Sequence, residues 1–281
     1  MSFNELKQRD TADFPIELYK IDENHAQYEM TSHWHKENEL IRVRSGRLSV
    51  KLNNSIYTLE DGDCIFVNSE TVHGAIPESC VYDCVVFDAT AFLKAFAEGN
   101  SPISSFLGGT LSVNEYYSAD TAGVSAAFDL LISTLDEKDS PGKKYKVTGC
   151  IYSLFGEILS AGHFDSPEHS FEGGSEKNVI KLKKVLYHIS KAYDTHLTLD
   201  ELAKIAGLSP KYFCAFFKEM TRQSPFEYIN AYRTDRAAKL LLSTDMSITD
   251  IAFSCGFSDL SYFIKTFKSL KGTTPRAFRK K

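Results

Sequence analysis

Two groups of side chains in this sequence have the types and spacing to do chemistry. The first is His33-Trp34-His35 followed by Glu39, with His73 farther along. On an extended chain alternate residues share a face, so His33, His35, Glu39, Ile41 and Val43 line up while Trp34, Arg42 and Arg44 point the other way. Imidazoles and a carboxylate on one face suit hydrogen bonding to one another and to a ligand. On this reading His33, His35, Glu39 and His73 form an effector pocket, with Tyr28 and Phe66 as aromatic lining. The second group lies toward the C-terminus. Lys211, Cys214 and Ala215 fall on one helical face, and Leu260, Ser261, Ile264 and Lys265 on a corresponding face about fifty residues later. Lysines and small residues presented by a helix suit the DNA major groove. Lys181, Lys183, Lys184, Lys218, Lys268, Arg276 and Arg279 are the candidates for phosphate contacts.

The second group is positioned by a stretch written twice. Leu199, Leu202, Ala203, Gly207 and Ser209 recur 49 residues later as Ile248, Ile251, Ala252, Gly256 and Ser258. Tyr212, Phe213, Phe217, Lys218 and Pro225 recur at an offset of 50 as Tyr262, Phe263, Phe267, Lys268 and Pro275. Each copy reads as a short amphipathic helix, a turn carrying Gly, and a second helix, which is the pattern of a helix-turn-helix. Gly207 and Gly256 suit a left-handed turn. Ser209, and Ser258 or Asp259, suit the cap of the helix that follows. Phe213, Phe216, Phe217 and Met220 form the inward stripe of one second helix, and Phe263, Phe267 and Leu270 that of the other.

Residues 178–279 resemble the DNA-binding domain of the AraC/XylS family of transcriptional regulators. Ile248-Thr249-Asp250-Ile251-Ala252, Gly256-Phe257-Ser258, Tyr262-Phe263, Phe267-Lys268 and Thr274-Pro275 carry the likeness. The resemblance implies seven helices, with a rod from about Pro225 to Ser243 joining the two units. Such a rod is about 28 Å long, close to one turn of B-DNA. Arg222 departs from the pattern, since the second copy has Gly272 at its place, and the turn there is expected to be tight or strained. None of the base-facing positions is Arg, Asn or Gln. Selectivity is therefore expected from thymine methyl contacts and DNA shape.

The first group is positioned by strands. Glu39–Val43, Arg47–Leu52, Ser55–Leu59, Cys64–Val67 and Val81–Phe87 are β-branched or alternating. Turn residues punctuate them at Ser45-Gly46, Asn53-Asn54 and Asp61-Gly62-Asp63. Short strands at this spacing indicate a small antiparallel barrel or sandwich. His33 to Gly46 resembles the first motif of the cupin fold. The second motif is partial, with Gly62 and His73 in place but Asn68, Glu70 and Pro77 substituted. In metal-dependent cupins such residues hold a divalent transition ion, so the resemblance implies His33, His35, Glu39 and His73 as ligands for Mn, Fe, Ni or Zn. The preferred reading is a pocket that requires no cofactor.

The organisation that follows is an α+β chain of two domains. Residues 1–90 form a cupin-type, jelly-roll barrel. Residues 91–164 form a helical region that resembles the dimerisation region of AraC-type regulators or else merely covers the barrel, 165–177 a linker, and 178–281 the tandem helix-turn-helix domain. Net charge supports the split. Residues 1–170 hold 13 Lys and Arg against 26 Asp and Glu, a balance of −13, whereas 171–281 hold 19 against 11, a balance of +8. The basic excess sits where a phosphate-binding module needs it. No apolar run is long enough for a membrane span, no signal peptide is evident, and six scattered cysteines suit reduced thiols in a cytoplasmic protein. The expected function is a cytoplasmic transcription regulator, not an enzyme, binding double-stranded operator DNA as a homodimer. Its partners would be a small-molecule effector, by resemblance a carbohydrate or derivative, and RNA polymerase. The alternatives are a metal-dependent cupin enzyme fused to a DNA-binding domain, and a constitutive DNA-binding protein with a purely dimerising barrel.

Overall fold

A ribbon of two long strands shapes the N-terminal part of the computed structural model, which describes residues 14–25, 28–99, 101–165 and 175–280. Strands β3 (Asn38–Leu52) and β6 (His73–Phe87) pair antiparallel from Asn38 opposite Phe87 to Leu52 opposite His73. The two strands expected at Glu39–Val43 and Arg47–Leu52 are thus one. Ser45-Gly46 is an irregularity inside it, with register slips on both sides of Ser45. Gly46 is left-handed (φ 86°), and a Cβ on it would overlap the carbonyl of Ser79 on the partner strand. Only glycine permits both the torsion and the approach.

The remaining strands dress this ribbon. β1 (Ile16–Ile21) pairs with β6, β4 (Ser55–Leu59) and β5 (Cys64–Val67) pair with opposite halves of β3, and β8 (Tyr116–Tyr117) pairs with β5. The pairing path β1-β6-β3-β5-β8 ends on two different strands. Among the described residues it is an antiparallel sheet, as expected, and these pairings do not themselves close it into a barrel. Two short strands, β7 (Ser112–Val113) and β9 (Phe164–Asp165), pair separately; β2 (Met30–His33) belongs to a segment described below.

Four helices cover one sheet face: α1 (Ala89–Leu93, continued by a 3-10 turn), α2 (Pro102–Leu107), α3 (Ala122–Asp136) and α4 (Lys143–Ser160). Leu40, Phe66, Val85 and Phe87 of the sheet share a single core with Phe128, Leu131, Ile151, Leu154 and Phe155. Burying each such side chain contributes about 1.5–3 kcal/mol. The region expected as a separate helical segment, 91–164, therefore shares its core with the sheet. Phe66, expected in the effector pocket, lies in this core, with its ring against Phe87, Phe106 and Phe155. Its partner across β3 is Leu40, so alternation puts it on the face opposite Glu39.

The chain divides into two compact units, and Asn24–His33, including β2, groups with Lys177–Lys281. The second unit has seven helices among the described residues: α5 (Ser175–Ala192), α6 (Leu199–Ala206), α7 (Pro210–Thr221), α8 (Pro225–Ser243), α9 (Ile248–Ser254), α10 (Leu260–Lys271) and α11 (Pro275–Phe278). Helix α5 begins within the expected linker 165–177, most of which lies outside the described residues.

Gly46→Ala should lower stability by about 3 kcal/mol or more, since it adds a left-handed penalty to an overlap with backbone. Denaturant titration of the sheet's unfolding measures it, and a loss below 1 kcal/mol would show that the ribbon relaxes around the methyl group.

Candidate functional site

The two helix-turn-helix units are set by their turns. Gly207 (φ 66°) ends α6 in the left-handed region, and Gly256 (φ 85°) does the same after α9, where a Cβ would also strike the Tyr193 carbonyl. Asp259 caps α10 by accepting from the Tyr262 N–H at 2.6 Å. Ser209 stands at the cap position of α7 in extended conformation, but its side chain makes no capping bond, contrary to expectation. Pro210 at the first position already removes one of the donors a cap would serve. Ser224 and Glu227 form a reciprocal capping box that starts α8. The rod is 19 residues long, as the resemblance implied.

Exposure sorts the base-facing candidates. Lys211, Ala215, Ser261, Ile264 and Lys265 are exposed, while Cys214 and Leu260 are half-buried. The opposite faces are sealed: Phe213 and Phe217 in α7 and Phe263 and Phe267 in α10 are fully buried. Leu270, expected inward, is exposed at the end of α10, where the stripe has already rotated off the core. Among the phosphate candidates Lys184, Lys218, Lys268 and Arg276 are exposed, and Lys181 and Lys183 half-buried. Arg279 instead donates to the Met246 carbonyl at 2.5 Å and serves the fold. Two hydroxyls were missed. Tyr212 and Tyr262 are exposed at matching places in the first turns of α7 and α10, where tyrosine can reach phosphate oxygens. Their recurrence at an offset of 50 was the available signal.

The segment Asn24–His33 is seated on α8 and the turn before it. The fully buried Tyr228 donates from its hydroxyl to the Ser32 carbonyl at 2.7 Å, and the Ser32 hydroxyl reaches the Thr221 carbonyl at 3.4 Å. Thr31 lies 3.4 Å from Asp235, whose other oxygen takes a 2.6 Å ion pair from Lys271. Burial pushes the Asp235 carboxyl above its ordinary range against the pull of Lys271. Tyr28 belongs to this segment, and so does His33, whose Nδ1 lies 2.9 Å from the Thr31 carbonyl.

In the sheet unit His35, Glu39 and His73, each at most 2% exposed, meet at one carboxylate oxygen. Glu39 lies on β3 and His73 at the start of β6, opposite Leu52. Thirteen residues of straight strand would hold them about 40 Å apart. The ribbon folds back on itself at the Gly46 irregularity, and the His73 Nε2 reaches Glu39 Oε2 at 3.0 Å. His35 Nε2 meets the same oxygen at 3.2 Å.

The second nitrogen of each ring fixes its tautomer. His35 Nδ1 lies 3.0 Å from the Glu37 carbonyl and His73 Nδ1 2.8 Å from the Thr71 carbonyl. A carbonyl only accepts, so both Nδ1 atoms carry hydrogen. Both Nε2 atoms then face one carboxylate oxygen, an arrangement that is attractive only with a proton or a cation between them. Burial raises the Glu39 carboxyl, but the hydrogen bonds and charges of His35 and His73 outweigh it and hold the group well below the usual carboxylate range. Sequence reasoning also missed Cys84. Its partner on β3 is Ile41, which places it on the Glu39 face, and burial and the nearby Glu39 charge push its thiol well above the ordinary range. As one of six scattered cysteines it gave no signal of its own.

Comparison with known proteins divides the chain at a similar place. Residues 15–154 match the family described as AraC-like ligand binding domain, and residues 202–281 match a helix-turn-helix domain. An uncharacterized HTH-type transcriptional regulator of Bacillus subtilis (strain 168), YdeC, is 22% identical over 286 residues, spanning 99% of this chain and 96% of its own length. The regulatory protein PocR of Salmonella typhimurium (strain LT2) is 37% identical over 119 residues, covering 41% of this chain and 39% of its own. Among solved structures ToxT from Vibrio cholerae is 12% identical, with a TM-score of 0.46 and coverage of 95% and 97%.

Arg222 closes α7 at φ 63°, the conformation that Gly272 adopts at φ 68° after α10. Arg222→Gly should therefore raise stability by about 1 kcal/mol, read as an upward shift of the thermal midpoint. An unchanged or lower midpoint would mean that contacts of the arginine side chain outweigh the backbone strain.

Proposed function

Since the chain belongs to the AraC family of helix-turn-helix transcriptional regulators, joining an AraC-like ligand-binding domain to a DNA-binding domain, we propose that it is a cytoplasmic, ligand-responsive regulator that reads an operator with α7 and α10. The ligand acts at the buried cluster of His35, Glu39 and His73. The observation that carries this reading is the pair of matched helices, each with an exposed lysine-bearing face backed by fully buried phenylalanines, at the two ends of a 19-residue rod. No helix among the described residues is long and apolar enough to cross a membrane.

Transmission runs along the chain. Ser32, held by Tyr228 of the DNA-binding unit, is three residues before His35, so a backbone shift at His35 has at most about 10 Å of extended chain in which to dissipate. The protein acts as a homodimer through α4. The outer face of that helix carries exposed Tyr145, Tyr152 and Leu159, with Gly149 and Gly156 leaving open space between them. The relatives named above are transcriptional regulators, which favours a regulatory over an enzymatic role for this chain.

Selection of operator sequences from a random DNA pool by the full chain tests the reading, and enrichment of no sequence would refute it. With a selected operator, Lys211→Ala and Lys265→Ala should each weaken specific binding about 5- to 100-fold, corresponding to about 1–3 kcal/mol. Their effect on random DNA should be smaller. Equal losses on both would reduce those lysines to phosphate contacts.

A further inference from the structure

We propose that Asn230 of the rod is a positioning residue for DNA binding, setting the Tyr262 hydroxyl of α10 to donate to a phosphodiester oxygen of the duplex. Tyr262 is thereby an anchor on the DNA backbone, and its repeat mate Tyr212 is not. The inference rests on the reading of α7 and α10 as groove-reading helices and assigns one hydroxyl of that surface its partner.

The Tyr262 side chain is held at two places. The Asn230 amide donates from Nδ2 to the Tyr262 hydroxyl at 2.8 Å. The phenol thus accepts from Asn230 and keeps its own hydrogen to give. Its ring lies against Phe257, with 6.3 Å between centroids. Phe257 is buried, and the Arg233 guanidinium stands 5.9 Å from its ring centre. Arg233 is fixed in turn by donating to the Tyr193 and Thr195 carbonyls. Asn230 and Arg233 are three residues apart on α8, hence neighbours on one face of it, so the rod supports the tyrosine both directly and through Phe257.

This support does not bury the residue: Tyr262 is 50% exposed. It is the third residue of α10, one turn before the exposed Lys265. The Asp259 carboxylate already takes its N–H, so the hydroxyl is the donor it has left. Polar side chains on the flanks of a helix lying in the major groove fall beside the phosphates. A hydroxyl that donates to a phosphate makes a charge-assisted bond, and a side chain ordered beforehand loses little entropy in making it.

Tyr212 lacks this support. It is 73% exposed, and its hydroxyl has no hydrogen-bond partner among the described residues. Leu208 stands where the second unit has Phe257. Binding DNA through Tyr212 would first require ordering it, which opposes association. The two units therefore carry the same residue type at matching places, one held and one not.

The test measures the affinity of the full chain for a selected operator and for a random duplex over a range of salt. Tyr262→Phe, which deletes only the hydroxyl, should weaken both by the same factor, about tenfold. It should leave the salt dependence unchanged, since no cation is lost. Asn230→Ala should weaken binding about two- to tenfold with an unchanged thermal midpoint, and should add nothing in a Tyr262→Phe background. Tyr212→Phe should have a smaller effect than Tyr262→Phe on both DNAs. Wild-type affinity in Tyr262→Phe overturns the proposal, and a loss confined to the operator overturns the phosphate as its partner. An Asn230→Ala loss that persists undiminished in the Tyr262→Phe background, or that comes with a lowered midpoint, overturns the positioning role. Equal losses from Tyr212→Phe and Tyr262→Phe overturn the distinction between the units. If no operator can be selected, the reading as a sequence-specific regulator fails, and the random duplex alone decides the role of Tyr262.

Discussion

The closure of the β3–β6 ribbon at Gly46 is the constraint on which the sheet unit depends. A strand of fifteen residues is too long to bring its two ends to one place unless it bends. Here the bend costs a register slip on each side of Ser45 and demands a residue with no Cβ against the Ser79 carbonyl. In return, a histidine at one end of the ribbon meets a glutamate at the other. Glu39, at 2% exposure, would be strongly destabilising as a lone charge, and the two imidazoles that compensate it are available only because the ribbon folds over. Bend and cluster therefore stand or fall together.

The DNA-binding unit relies on a different device. Each helix-turn-helix needs a left-handed residue between its helices, and each places large aromatic side chains behind an outer face of lysines and small residues. Glycine supplies the turn after α6, α9 and α10, while Arg222 supplies it after α7 at a conformational cost. That site also lies beside the Thr221 carbonyl, which receives the Ser32 hydroxyl. The strained turn, the end of α7 and the seat of the Asn24–His33 segment are thus one locality.

Much of this was legible in the sequence, and what was not has physical reasons. The duplication located helices α7 and α10 and the glycine turns, because helical periodicity and turn chemistry are local properties, and the family resemblance supplied the rod. Alternation put His35 and Glu39 on one face for the same reason. Phe66 was misplaced because the face of an isolated strand depends on its register with β3, which no local pattern states. Cys84 was overlooked for that reason too: only its pairing with Ile41 brings it to Glu39. Leu270 keeps the helical spacing of its stripe but lies beyond the end of the core it was meant to enter. The grouping of Asn24–His33 with the helical unit was beyond sequence reasoning altogether, since it follows from tertiary hydrogen bonds to Tyr228, Thr221 and Asp235.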